Sequence, residues 1–312
     1  MLTRVSTDSS GAQGNGYSAD SVFSSDGTQL AFRSDATNLV AGDTNNSADI
    51  FVKNLSTGVV TRVSTDSSGV QGNNSSFQPV FSVDGTQLAF TSAASNLVAG
   101  DTNGTYDLFV KNLSTGAVTR VSTDGSGEQV TGDSFEPVFS ADGTQVTFQS
   151  YASNLVAGDT NGYTDIFVKN LSTGALTRVS TDSSGAQGNG HSSAPVFSAD
   201  STQVAFQSSA SNLVAGDTNG DPNAYYDIFV KNLSTGVLTR VSTDSSGEQG
   251  NGGSDSPVFS ADGTQLAFTS GAPNLVAGDT NGTGDIFVKN LSTGAVTRVS
   301  TDGSGEQVTG DS

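Results

Sequence analysis

One short acidic loop, repeated five times, holds most of this chain's chemical potential. In its regular form it reads Gly-Asp-Thr-Asn, one variable residue (usually glycine), two more and then Asp. Oxygen side chains therefore stand at positions 1, 3 and 7: Asp43, Asn45 and Asp49; Asp101, Asn103 and Asp107; Asp159, Asn161 and Asp165; Asp279, Asn281 and Asp285. Hard oxygen ligands at alternate positions of a tight loop suit Ca²⁺, which takes six to eight of them. The regular loops fall short of an EF-hand, with no acid at position 5 and no bidentate glutamate at position 12. The alternative is structural. Asp and Asn fold back onto their own backbone in turns, and the second Asp can accept amide bonds where the next strand begins. In the fourth copy an insertion separates Asp227 from Asp217 and Asn219, so that site is expected to be the weakest.

Other reactive groups are scarce. Cysteine is absent and His191 is the only histidine, which removes disulfides, Cys/His zinc sites and thiolate chemistry. Near-identical units place equivalent groups in equivalent surroundings, whereas an acid and a base need different ones. No catalytic residue is assigned, and His191, on a serine-rich loop, is expected to be exposed and unpaired. Lysines recur at 53, 111, 169, 231 and 289, and six of the seven arginines recur as well. Both series are read as partners of the repeated aspartates, with Arg33 the exception.

Comparing the units with one another locates the variable positions. Tyr17, Phe77, Tyr106, Phe135, Tyr163, His191, Tyr225 and Tyr226 all fall in loops that differ between units. Phe77 and Phe135 are the only phenylalanines outside three regular strand positions. Exposed rings on loops are common anchors for sugars and proteins, so these eight are the candidate ligand-binding residues. The competing reading is that they drift freely and merely cover loop backbone.

The elements that carry these loops follow from the repeat. Thr-Arg-Val-Ser-Thr-Asp begins at Thr3, Thr61, Thr119, Thr177, Thr239 and Thr297, a period too long for most solenoids. Each unit has four β-type segments; in the second unit they are 79–82, 86–91, 107–111 and 117–123. Val83-Asp84-Gly85 joins the first two and Ser114-Thr115-Gly116 the last two as tight hairpins. Apolar groups occupy both faces: Ile50 and Val52 oppose Phe51, and Leu30 and Phe32 oppose Ala31. Strands covered on both faces fit blades stacked on neighbours, so the expected fold is all-β: a β-propeller of five four-stranded blades, without helix.

Composition sets the outer limits. The chain has 312 residues, 12 Lys+Arg against 31 Asp+Glu, a net charge of −19 and 33% hydrophobic residues. Such a charge argues against nucleic acid. No apolar run is long enough for a membrane span, and Met1-Leu2-Thr3-Arg4 does not open a signal peptide. One domain over 1–312 is expected, with units at 17–74, 75–132, 133–190, 191–252 and 253–312. Residues 1–16 would supply an extra outer strand and loop. That strand duplicates the one the fifth unit carries, and the local copy is favoured as the fifth blade's edge because it closes the shorter loop.

The motif Pro-Val-Phe-Ser-Ala-Asp-Gly-Thr-Gln-Leu-Ala-Phe, followed by Asp-Ile-Phe-Val-Lys-Asn-Leu, resembles the blade of TolB-like, WD-like bacterial propellers. The stretch Ser-Asn-Leu-Val-Ala-Gly-Asp-Thr-Asn-Gly is similar to a subgroup found in large secreted proteins. The resemblance covers all five units and implies an extracellular or periplasmic bacterial setting. It also implies that the chain is either whole or cut from a longer array. The expected function is a non-catalytic scaffold presenting one aromatic loop face to a carbohydrate or protein ligand. The alternatives are a structural or engineered array without ligand, or a polysaccharide- or peptide-processing enzyme with a site near His191. A monomer is expected, with strand exchange between chains as the other arrangement.

Overall fold

The computed structural model describes residues 3–219 and 225–307. Among them are twenty strands and no helix, arranged as five four-stranded antiparallel sheets in which strand order follows the chain. This is the five-bladed, all-β propeller architecture. The first blade is β1 (Ser18–Phe23), β2 (Gln29–Ser34), β3 (Asp49–Asn54) and β4 (Val60–Arg62). The second is β5 (Ser76–Phe81), β6 (Gln87–Ser92), β7 (Asp107–Asn112) and β8 (Val118–Arg120); the third is β9 (Ser134–Phe139), β10 (Gln145–Ser150), β11 (Asp165–Asn170) and β12 (Leu176–Arg178). The fourth is β13 (Ser192–Phe197), β14 (Gln203–Ser208), β15 (Asp227–Asn232) and β16 (Leu238–Arg240). The fifth is β17 (Ser254–Phe259), β18 (Gln265–Ser270), β19 (Asp285–Asn290) and β20 (Val296–Arg298).

By contacts the chain divides into two compact units, 1–157 with 169–176, and 158–168 with 177–312. In the first unit, Ala31, Ile50 and Val52 of one blade face pack with Leu88, Phe90 and Phe109 of the next. Leu30, Phe32 and Phe51 form the core on the other side of the same sheet. The two-faced pattern in the sequence is thus realised. In the second unit the same interface recurs where Ala205, Ile228 and Val230 meet Leu266, Phe268 and Phe287.

Both hairpin turns form for the expected reason. Gly85 takes φ 69° and Gly116 φ 77°, a region that costs a residue with a side chain about 1–2 kcal/mol. The strand boundaries differ from expectation in two places. The first strand of the second blade starts at Ser76, ahead of Pro79, and is broken by a register shift between Phe77 and Val80. The fourth strand is shorter, 118–120. At the ends, β20 pairs with β19, so the fifth blade uses its local copy. The N-terminal copy forms no strand among residues 3–16, only a bridge between Thr7 and Gln13. In the repeats that outer strand pairs with the third strand of its own blade.

Candidate functional site

Within each acidic loop the two aspartates meet on an arginine of the same blade. In the second blade Arg120 Nη1 lies 3.4 Å from Asp101 Oδ1 and 3.6 Å from Asp107 Oδ2. Gln129 Nε2 donates to Asp101 at 2.8 Å, and Asn103 Nδ2 to Asp107 Oδ2 at 3.0 Å. Ser122 Oγ donates to the other oxygen of Asp107 at 2.6 Å. The asparagine oxygen is engaged as well, accepting the backbone N–H of Thr105 at 3.1 Å. The same ion pairs recur at Arg62, Arg178 and Arg298. In these four loops a guanidinium stands between the two aspartates, and the arginine–aspartate pairing expected from the repeat is present.

The insertion does not break the fourth loop. Arg240 lies 3.5 Å from Asp217 and 3.7 Å from Asp227, and Gln249 Nε2 donates to both carboxylates at 2.9 Å. The insertion therefore leaves Asp217 and Asp227 together, because strand β15 fixes Asp227 independently of loop length. Residues 221–224 of the insertion lie outside the described residues. Among the described residues no group of three or more His, Cys, Asp or Glu side chains could hold a metal ion. Burial pushes the Asp107 carboxyl above its usual range, against the Ser122 and Asn103 hydrogen bonds. The same cause raises Asp227 to about 6.

The lysines do not pair with aspartate carboxylates as expected. Lys111 is buried, and its Nζ donates to the Thr65 carbonyl at 2.8 Å, the Thr65 hydroxyl and the Asp66 backbone carbonyl at 3.1 Å. Each lysine thus fastens its blade to the Thr-Asp turn that precedes it. Burial lowers Lys111 to about 8, with the Asp66 charge opposing. The expectation failed because the Thr-Asp turn offers backbone oxygens inward while its carboxylate caps its own loop; Asp66 Oδ1, for example, accepts Ser68 N at 2.8 Å.

The aromatic candidates separate into groups. Phe77, Tyr106 and Phe135 form a three-ring cluster in the first unit, with centroids 5.0, 5.7 and 6.2 Å apart. All three are partly exposed. Tyr17, also in the first unit, is 67% exposed. In the second unit Tyr163 meets His191 edge-on at 4.7 Å, while Tyr225 is exposed and Tyr226 half-buried. His191 is partly buried rather than exposed and unpaired. Its Nδ1 accepts the Thr164 backbone N–H at 3.2 Å, which in the neutral ring leaves the proton on Nε2.

Two features escaped the sequence reading. Tyr151, about half exposed, stands where other units carry Asp35, Ala93, Ser209 and Gly271. The first strand of every blade also carries a non-glycine residue at positive φ: Asp20, Gln78, Glu136, Ala194 and Ser256, at 52–56°. A proline follows in four of the five, and proline inside a strand marks a bulge. The bulges of neighbouring blades are linked: Gln78 Oε1 accepts Glu136 N at 3.2 Å, and Gln207 Oε1 accepts Ser256 N at 3.1 Å. Phe77 and Phe135 immediately precede two of them, so the ring cluster sits on strained, laterally braced backbone.

These four-stranded blades define a β-propeller fold. The chain is similar to a putative TolB from Agrobacterium tumefaciens, with TM-score 0.52 and 15% identity over 91% of this chain and 80% of that one. It is also similar to an oligogalacturonate lyase in complex with manganese (TM-score 0.56, 17% identity, 89% of this chain and 63% of that one). A third neighbour is the propeller domain of the trilobed protease of Pyrococcus furiosus (TM-score 0.56, 11% identity, 91% and 72%). At these identities the likeness is one of fold. No protein-family model and no curated protein matches the sequence. No described helix is long and apolar enough to cross a membrane.

Proposed function

We propose that the chain is a non-catalytic binding scaffold whose ligand face is centred on Phe77, Tyr106 and Phe135. The observation that carries this reading is the partly exposed three-ring cluster, built from residues that differ between otherwise near-identical units. Partly exposed rings held on braced strands offer apolar and CH–π contact at little ordering cost, as sugar rings and apolar peptide side chains require. A net charge of −19 disfavours acidic ligands, so neutral glycans and basic or apolar peptides fit best. In this reading the aspartate loops are structural, each closed by its own arginine, and no metal is needed. The resemblance to propellers of secreted bacterial proteins supports an extracellular or periplasmic setting.

Calorimetric titration against soluble neutral polysaccharides and a peptide panel tests this. Tyr106→Ala and Phe135→Ala should each weaken a detected ligand at least tenfold, while Tyr17→Ala leaves it unchanged. Binding indifferent to both cluster variants would refute the assignment.

A further inference from the structure

The chain contains six Thr-Asp turns and five lysines. Every lysine is already placed: Lys53 Nζ donates to the Thr7 carbonyl at 3.0 Å, and so on through the series to Lys289, which reaches Thr243 at 2.7 Å. The sixth turn, at Thr301 and Asp302, is folded like the others. Thr301 bridges to Gln307, and Asp302 N donates to the Glu306 carbonyl at 2.8 Å. It presents the same acceptors that the five lysines engage at the other turns, and each of those lysines is held elsewhere.

Beside that turn lies an uncovered apolar face. Val63, Val121, Val179 and Val241 are 1–2% exposed, whereas their counterpart Val299 is 49% exposed. Ile286 and Val288 of β19 are partly exposed, while their counterparts Ile50 and Val52 are buried. In the first blade that same face receives Leu88, Phe90 and Phe109 of the next blade. At the other end of the chain, Phe23 is 62% exposed where its counterparts Phe81 and Phe139 are 7% and 5%. One terminal blade thus exposes the receiving face and the other part of the inserting one.

We propose that the open face of the fifth blade, with the unclaimed Thr301 turn, binds the first blade of a second copy of this chain, head to tail. The internal blade interfaces define the occupant, because each is this face covered by a blade of the same sequence. For docking, the second copy's turn at Thr7 must yield Lys53 to Thr301. That exchange is close to neutral, since carbonyl and hydroxyl acceptors of the same chemistry replace each other. Val299 takes the place that Val5 holds against the first-blade core, so what the exchange adds is the burial of Phe23, Ile286 and Val288. A contact of this kind is heterologous, and so it propagates or closes into a ring of chains. The charge of −19 on each copy opposes it, so salt should strengthen it.

Sedimentation velocity of the full chain over a hundredfold concentration range, in raised salt, is the test. Species heavier than one chain should accumulate with concentration. Removing residues 1–16, which frees Lys53, should shift association to at least tenfold lower concentration. Val299→Asp and Phe23→Asp should each remain monomeric with unchanged melts, since both side chains are already exposed. Mixed together, these two variants should form dimers and stop there, because each supplies the face the other lacks. The proposal fails if the wild type and the truncated chain stay monomeric throughout, if Val299→Asp associates like the wild type, or if the mixture yields no dimer.

Discussion

Two sets of aspartates, each recurring in every blade, live under opposite conditions. Asp84 in the exposed hairpin accepts Ser82 Oγ at 2.6 Å, Thr86 N at 3.0 Å and the Thr86 hydroxyl at 2.9 Å. Those donors, led by Ser82, hold its carboxyl below the usual range. Asp107, fully buried at the other set of loops, is pushed the other way by desolvation. The contrast teaches that a recurring Asp carries no fixed meaning. Exposed and well donated, it is a stable anion that shapes a turn. Buried, it needs a cation, and this fold supplies one from the fourth strand.

The largest effect should follow from removing that cation. Arg120→Ala leaves Asp101 and Asp107 facing each other without a counter-charge, and breaking a buried pair in this way costs about 3–5 kcal/mol. Urea denaturation would measure it, and a loss under 1 kcal/mol would erase the distinction between the two sets.

Acidity should separate the two sets along one axis. Asp227, at about 6 in the fold against 3.8 when free, contributes stability that is full below 3.8 and is lost as pH rises through about 6. Asp262, lowered to about 2 chiefly by its Ser260 hydrogen bond, contributes stability above 3.8 that is lost as pH falls towards 2. The melting temperature should therefore be higher near pH 5 than at pH 7 and should collapse below about pH 3. Asp227→Asn should reduce the rise between pH 7 and pH 5 without touching the acid collapse. A flat profile from pH 7 to 5 would remove the buried set from the account.

A smaller loss is expected in the hairpins. Asp84→Ala deletes a local cap and should cost about 1 kcal/mol, read from the shift in denaturation midpoint. The smallest effect is expected from metal. With arginine already at the centre of each loop, calcium or a chelator should leave the melt of the wild type unchanged; a rise with calcium would show that the cation can displace the guanidinium.

The propeller was legible because repetition exposed the strand faces, the Asp-Gly turns and the period together. Residues that act within a few positions of one another, such as Asp84 and Thr86, were readable from spacing alone. The loop triads were only half readable. Spacing at 1, 3 and 7 brings oxygens together but does not say which cation arrives, and Arg120 comes from a strand thirteen residues beyond Asp107. Lys111 was misassigned for a similar reason. Its partner Thr65 lies 46 residues back, across a blade boundary that sequence proximity does not reveal. The Phe77–Tyr106–Phe135 cluster joins side chains from two blades, so only the individual rings, not their meeting, could be foreseen.

The hairpin turns also bear on how the molecule ages. An Asp-Gly bond is a chemical weak point, because the glycine nitrogen can attack the aspartyl carbonyl, close a succinimide and reopen as isoaspartate. In four of the five blades the first hairpin carries that bond, at Asp26, Asp84, Asp142 and Asp262. The fold guards it by keeping the carboxyl ionised and turned towards serine and threonine donors, while the Gly85 nitrogen is occupied by the Ser82 carbonyl at 2.9 Å. The fourth blade has Ser201 instead, held at φ 57°, where a side chain is sterically unwelcome. That blade accepts a little backbone strain in a turn whose bond is chemically durable, whereas its four neighbours depend on remaining folded to escape slow covalent damage.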